Sequence, residues 1–167
     1  MKARIRTKEE IYLYHIAPES EKGLLLSKGL DKLGLSCRFL EDGCWTQPVG
    51  YCVGAPGYPE KASEDVPPQN PQELFLMKDL SPSRRDQVLA AFRDKTLPQV
   101  ELKAIVTPHN QAWPLGKLIA ELTKEHACMK AYEALKATAA RAREALLNGG
   151  GTEELKVRLE QAEALLR

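Results

Sequence analysis

The residues of this 167-residue chain that could do chemistry are few, and most are spaced wrongly for it. Three histidines are present, His15, His109 and His126, with four cysteines, Cys37, Cys44, Cys52 and Cys128. The cysteine gaps are irregular and hold no C-x-x-C pair. Neither a zinc knuckle nor a thioredoxin-like motif is spelled out, and free thiols are expected. Cys44 stands where a helix N-terminus would lower a thiol pKa, but the plainer reading of these cysteines is small buried hydrophobes. His126 and Cys128 lie two apart on a helix and point away from each other, so no metal site is assigned. His15 falls in an apolar strand and reads as core or strand edge. The sequence contains no G-x-S-x-G elbow, no phosphate-binding G-x-x-x-x-G-K-[ST], no G-x-G-x-x-G and no H-E-x-x-H. No catalytic residue and no cofactor is therefore assigned, and enzymatic activity stays open.

One loop is better placed. Thr107-Pro-His-Asn-Gln-Ala-Trp113 follows a strand and precedes a helix, the position where open α/β sheets bind ligands. The helix start offers free N–H groups to an anion. Thr107, His109 and Asn110 supply polar atoms and Trp113 a large ring. A first-half counterpart, Trp45-Thr-Gln-Pro-Val-Gly50, adds Gln47. These five residues, Gln47, Thr107, His109, Asn110 and Trp113, form the candidate ligand site. The competing reading has Thr107 or Asn110 capping the turn and Trp113 packing on the sheet.

The elements that must position them repeat. Ile11–Ile16 reads as a buried strand, followed by a helix with Leu24, Leu25, Leu26, Leu30 and Leu33 on an apolar face and Gly34 as its stop. Residues 35–40 alternate like a second strand, and Pro48 opens a short helix. Residues 54–72 carry five prolines and form a loop. Then Glu73–Met77 reads as a strand, a helix brings Val88, Leu89 and Phe92 inward, Val100–Val106 is a strand, and Pro114 starts another helix. The two halves correspond at a spacing of about 64 residues, and Pro48-Val-Gly answers Pro114-Leu-Gly. The expected class is α/β: two β-α-β-α units forming one four-stranded sheet, with a C-terminal helical hairpin. A ferredoxin-like α+β sheet is the alternative, in which the second and third strands would be neighbours.

From Pro114 to Asn148 the only breaker is Gly116, so a helix of roughly 34 residues and ~50 Å is expected. Met129, Tyr132, Leu135, Ala139, Ala142 and Leu146 form its stripe. Asn148-Gly-Gly-Gly-Thr152 reverses the chain, and Thr152 caps a second helix bearing Leu155, Leu159, Ala162 and Leu166. The expected division is 1–130 for the α/β domain and 131–167 for the hairpin.

Lysine and arginine total 24 against 23 carboxylates, and aromatics make up 6%. That balance argues against a nucleic-acid surface, which needs a basic face or stacking rings. No run is apolar for long enough to span a membrane, and Met1–Glu10 has no signal-like apolar region, so the expected location is cytoplasmic.

Lys103-Ala-Ile-Val-Thr-Pro-His-Asn-Gln-Ala-Trp-Pro-Leu, with Leu118 and Glu121-Leu-Thr-Lys-Glu-His126, resembles a bacterial family of small proteins, the domain of unknown function DUF3783. The pattern K-A-[IV]-[LV]-T-P-x-N-x-x-W leads into L-x-x-E-L-x-x-E-H. Gln47-Pro-Val-Gly-Tyr and Gly54-Ala-Pro-Gly-Tyr58 extend the resemblance over roughly residues 11–130. It implies a coherent domain but no activity, substrate, cofactor or partner. The expected function is a non-enzymatic binding or regulatory module that forms a homodimer, or takes a protein partner, through helices 129–167. The alternative is a small-ligand or anion sensor, or an enzyme, using the 107–113 and 45–50 loops.

Overall fold

The computed structural model describes residues 8–167. Nine elements follow one another: β1 (Glu10–Tyr14), α1 (Glu21–Lys32), β2 (Ser36–Leu40), α2 (Val49–Cys52), β3 (Leu74–Lys78), α3 (Pro82–Arg93), β4 (Leu102–Ile105), α4 (Leu115–Leu147) and α5 (Glu153–Leu165). A 3₁₀ turn, Asp42–Thr46, precedes α2. The four strands form one mixed sheet in the order β2-β1-β3-β4. β1 and β2 are parallel, β3 and β4 are parallel, and the two halves meet antiparallel along β1 and β3. β2 and β3 are not neighbours, so the α/β arrangement holds and the ferredoxin-like alternative does not.

The antiparallel seam pairs Tyr12 with Leu76, and each residue of β1 corresponds to the β3 residue 64 positions later. The units are therefore related by a pseudo-twofold axis at this pair. Their local chemistry agrees. Ser20 caps α1 by accepting from the Gly23 N–H at 3.0 Å, and Ser81 caps α3 by accepting from the Arg84 N–H at 3.3 Å. His15 and Asp79 leave β1 and β3 with φ of 57° and 58°. α1 ends in a Schellman turn, with Gly34 at φ 72° and the Leu35 N–H donating to the Leu30 carbonyl at 3.0 Å.

Side chains alternate through the sheet. Ile11, Leu13, Phe75 and Met77 face Leu26 and Leu30 of α1 and Val88 and Phe92 of α3. Tyr12, Tyr14, Leu74 and Leu76 face Val49, Val53, Leu115, Leu118 and Ile119 on the other side. Burial on both faces explains why the two central strands read as continuous apolar runs rather than alternating ones. Three expectations shift. β1 stops at Tyr14, because the positive φ of His15 ends the pairing, so His15 lies just past the strand and is half-buried. Leu24 and Leu25 point outward, since α1 packs on Gly23, Leu26 and Leu30. Leu89 is likewise exposed beside the buried Val88 and Phe92.

The chain divides into two compact units, one reaching Thr123 and the other Lys124–Arg167. In the second, α4 closes with a Schellman turn at Gly149, where the N–H groups of Gly149 and Gly150 donate to the carbonyls of Leu146 and Ala145. Thr152 caps α5 by accepting from the Leu155 N–H. Arg143 of α4 pairs with Glu163 of α5, which turns α5 back along α4 as a helical hairpin.

Gly23 tests the helix–strand packing. A Cβ there would lie 2.1 Å from the Ala17 carbonyl oxygen, whereas one at Gly43 meets nothing within 4 Å. Gly23→Ala should lower unfolding free energy by about 1–3 kcal/mol through backbone displacement. Gly43→Ala should change it by no more than about 0.5 kcal/mol, as for an unconstrained surface substitution. Urea denaturation of the two variants checks this.

Candidate functional site

The two loops singled out by sequence meet on the pseudo-axis. Pro48 and Pro114 form an isolated antiparallel bridge. The Val49 N–H donates to the Trp113 carbonyl at 2.8 Å and the Leu115 N–H to the Gln47 carbonyl at 2.9 Å. These two bonds are the same bond seen from each unit, with partners offset by 66 residues. The Gly50 N–H adds a third, to the Gln111 carbonyl at 2.9 Å. Gly116 permits the approach, for a Cβ there would lie 2.5 Å from the Trp45 ring. By this register Gln47 answers Trp113 and Trp45 answers Gln111, so the two tryptophans are neighbours of the bridge rather than counterparts.

Of the five candidate residues, Gln47, Thr107 and Asn110 turn their polar atoms onto the protein backbone, and His109 and Trp113 meet ring to ring. Asn110 is buried; its Oδ1 accepts from the Thr107 N–H at 2.9 Å and its Nδ2 donates to the Ile105 carbonyl at 2.9 Å. The Thr107 hydroxyl accepts from the Asn110 N–H at 3.2 Å, which closes the turn. Gln47 is buried, and its amide holds both backbone groups of Lys61, donating at 2.7 Å and accepting at 2.8 Å. That double bond, with Tyr58 against Gly50, anchors the proline-rich segment. His109 is exposed and stands edge-on to Trp113 at 5.1 Å, while Lys117 lies 4.5 Å over the same ring. The polar atoms of Gln47, Thr107 and Asn110 are thus engaged by backbone.

A second cluster was not visible as a motif. Glu10 is buried at the head of β1. The Tyr12 hydroxyl lies 2.8 Å from its carboxylate and 3.0 Å from the Val53 carbonyl. Arg38 of β2 and Lys78 of β3 approach the same carboxylate at 3.6 and 3.7 Å. These groups, with Tyr51 and Cys52, line an open cleft of about 420 Å³. Burial and the Glu10 contact push the Tyr12 pKa up, so its phenol stays protonated and is no base near neutrality. The cluster ties three strands to the end of α2 and leaves positive charge at its open side. One sequence signal was available: a carboxylate opening an otherwise apolar strand has to be paired. Among the described residues no group of three or more His, Cys, Asp or Glu is placed to hold a metal ion.

The thiols are unequal. Burial raises Cys37 to about 11. Cys44 lies in the 3₁₀ turn and Cys52 ends α2; the Cys52 thiol is directed at the Cys44 carbonyl oxygen, 3.5 Å away, and at that of Gln47, 4.0 Å away.

Residues 73–129 match the family described as Domain of unknown function (DUF3783). The matched segment runs from β3 into α4 and so takes in the second β-α-β-α unit, whereas residues 11–72 of the expected resemblance lie outside it. The first unit nevertheless repeats its topology. No curated protein and no solved structure matches the chain.

Gln47→Ala should lower stability by about 1–3 kcal/mol, because a buried side chain loses both of its hydrogen bonds to the Lys61 backbone. It should also speed proteolysis within residues 54–72. Limited digestion followed by peptide mapping reads this directly, and an unchanged cleavage rate would place the anchor elsewhere.

Tyr14 gives a pH test. Burial, first, and the nearby Asp42 raise its pKa to about 12 from 10. The folded state therefore holds this proton more tightly than the unfolded state. Its contribution is complete below pH 10 and is lost as pH rises through 12, a change of roughly 2 kcal/mol. Tyr14→Phe should flatten that part of the stability profile measured by denaturation between pH 9 and 12.

Proposed function

We propose that the protein is a non-enzymatic binding module whose C-terminal helices join it to a second copy of itself. The observation that carries this is the thinness of the hairpin core. Within Lys124–Arg167, all of it described, Ala139 is the only buried side chain. Leu135, Leu146, Leu155, Leu159 and Leu166 are half-buried, as expected when two helices pair and leave one side of their seam open. The apolar stripe also outruns its cover. α5 has 13 residues and reaches about 20 Å, too short to lie against the whole of the 33-residue α4. Met129 and Tyr132 stay 59% and 42% exposed, and Val157 and Leu165 face out from α5.

A unit this small rarely buries enough surface to be stable alone, and two hairpins stacked seam to seam make a four-helix bundle. Charge does not oppose it. The unit carries eight Lys and Arg against seven Glu, with both signs on each helix, so two copies have little to repel. No helix among the described residues is long and apolar enough to cross a membrane. The alternative, a ligand site in the 45–50 and 107–113 loops, is less well supported, because those loops hydrogen-bond to each other.

Light scattering across a concentration series tests the proposal. The native chain should be dimeric, and the double variant Met129→Glu with Tyr132→Glu should be monomeric with an unchanged far-ultraviolet spectrum. A native chain that is monomeric throughout, or a variant that stays dimeric, would overturn it.

A further inference from the structure

We propose that Cys44 and Cys52 are a reversible dithiol–disulfide pair, oxidised by small disulfides of the glutathione type. Three structural facts support this. The Cys52 sulfur already sits 3.5 Å from the Cys44 backbone carbonyl oxygen, against the residue it would join, so closure needs side-chain rotation and a small adjustment of the turn. Both residues are half-buried rather than sealed, which leaves the Cys44 sulfur partly accessible to a small disulfide, and Cys52 also lines the open cleft of Glu10, Arg38 and Lys78. The pair closes only an eight-residue span, from a 3₁₀ turn to a one-turn helix, where neither element is a long rigid rod.

The two thiols are also differentiated. The adjacent Cys52 thiol holds Cys44 below the ordinary thiol value, with help from a backbone contact at Glu41 and against its burial. The Cys52 S–H is directed at the Cys44 and Gln47 carbonyl oxygens, 3.5 and 4.0 Å away, and the neighbouring Cys44 together with burial pushes its pKa up. Cys44 is therefore the attacking sulfur. Its thiolate attacks one sulfur of glutathione disulfide; the S–S bond breaks, a mixed disulfide forms at Cys44, and one glutathione thiolate leaves and takes up a proton. With the Cys44 negative charge gone, Cys52 releases its proton more readily. Its thiolate attacks the Cys44 sulfur and expels the second glutathione. Two protein thiols are oxidised, one disulfide is reduced, and two glutathione thiols are the product. The new bond staples the turn carrying Trp45, whose ring lies against Gly116 and 6.3 Å from Tyr14.

Trypsin provides the readout, because Arg38 and Lys61 bound a single peptide, 39–61, that contains both residues and no other cysteine. The intact native protein is incubated with glutathione disulfide, alkylated and digested. Peptide 39–61 should be two hydrogens lighter and unalkylated, while the Cys37 peptide stays alkylated, and dithiothreitol should restore both thiols. Cys52→Ser should trap glutathione on Cys44, and Cys44→Ser should leave Cys52 at least tenfold less reactive. Intrinsic tryptophan fluorescence should change on oxidation of the native chain and not of either variant. Peptide 39–61 recovered with both thiols alkylated while Cys128 is modified would overturn the proposal. So would a mixed disulfide that persists on the native chain, or equal reactivity of Cys44 and Cys52 in the two variants.

Discussion

The antiparallel contact of β1 with β3 is the constraint from which the rest of the first unit follows. Each half, taken alone, is a parallel strand pair with a helix on one face and exposes a whole strand edge. Joining the halves along β1 and β3 removes those edges and places the two most apolar strands at the centre of the sheet. The same operation brings the loops after β2 and β4 together, where Pro48 and Pro114 bridge and two equivalent N–H groups cross between them. The bridge and the central seam lie on one pseudo-axis, and each supports the other's register.

Departures from the symmetry show where the chain has been specialised. After the bridge the second unit continues as α4 for 33 residues. The first unit allows one helical turn, then gives way to the proline-rich segment that Gln47 and Tyr58 hold in place. The cleft at Glu10 has no counterpart either, since Leu74 occupies the equivalent position in β3. The thiol pair, the anchored segment and every lining residue of the cleft except Lys78 therefore belong to the first unit, outside the residues that match DUF3783. The matched segment contributes Lys78, the β3–β4 half of the sheet and the start of the long helix.

Local chemistry made much of this legible in sequence. Thr152 announces a helix start because a short hydroxyl can satisfy a free N–H without help from the rest of the fold, and Ser20 and Ser81 do the same in the structure. Gly34 and Gly149 announce stops because the left-handed conformation is cheap for glycine. The repeated order of elements and the proline-rich interruption could be read the same way. The candidate site was legible only as a location. The 45–50 and 107–113 loops were identified, but whether Gln47 and Asn110 would face a ligand or a backbone depended on how closely the loops would approach, and that is set by Gly116 under the Trp45 ring.

The sequence by itself determined the elements, their order and the glycine reversal before α5, because each of these elements and turns rests on residues within a few positions of one another. Tertiary structure alone decided which strands became neighbours, which side of α1 turned inward, and which distant groups came to share a site. Glu10, Arg38 and Lys78 are strangers in sequence and adjacent only because β1 lies between β2 and β3. Contacts of that kind are fixed by the register of hydrogen-bonded strands, a collective property of the sheet that no local run of residues carries.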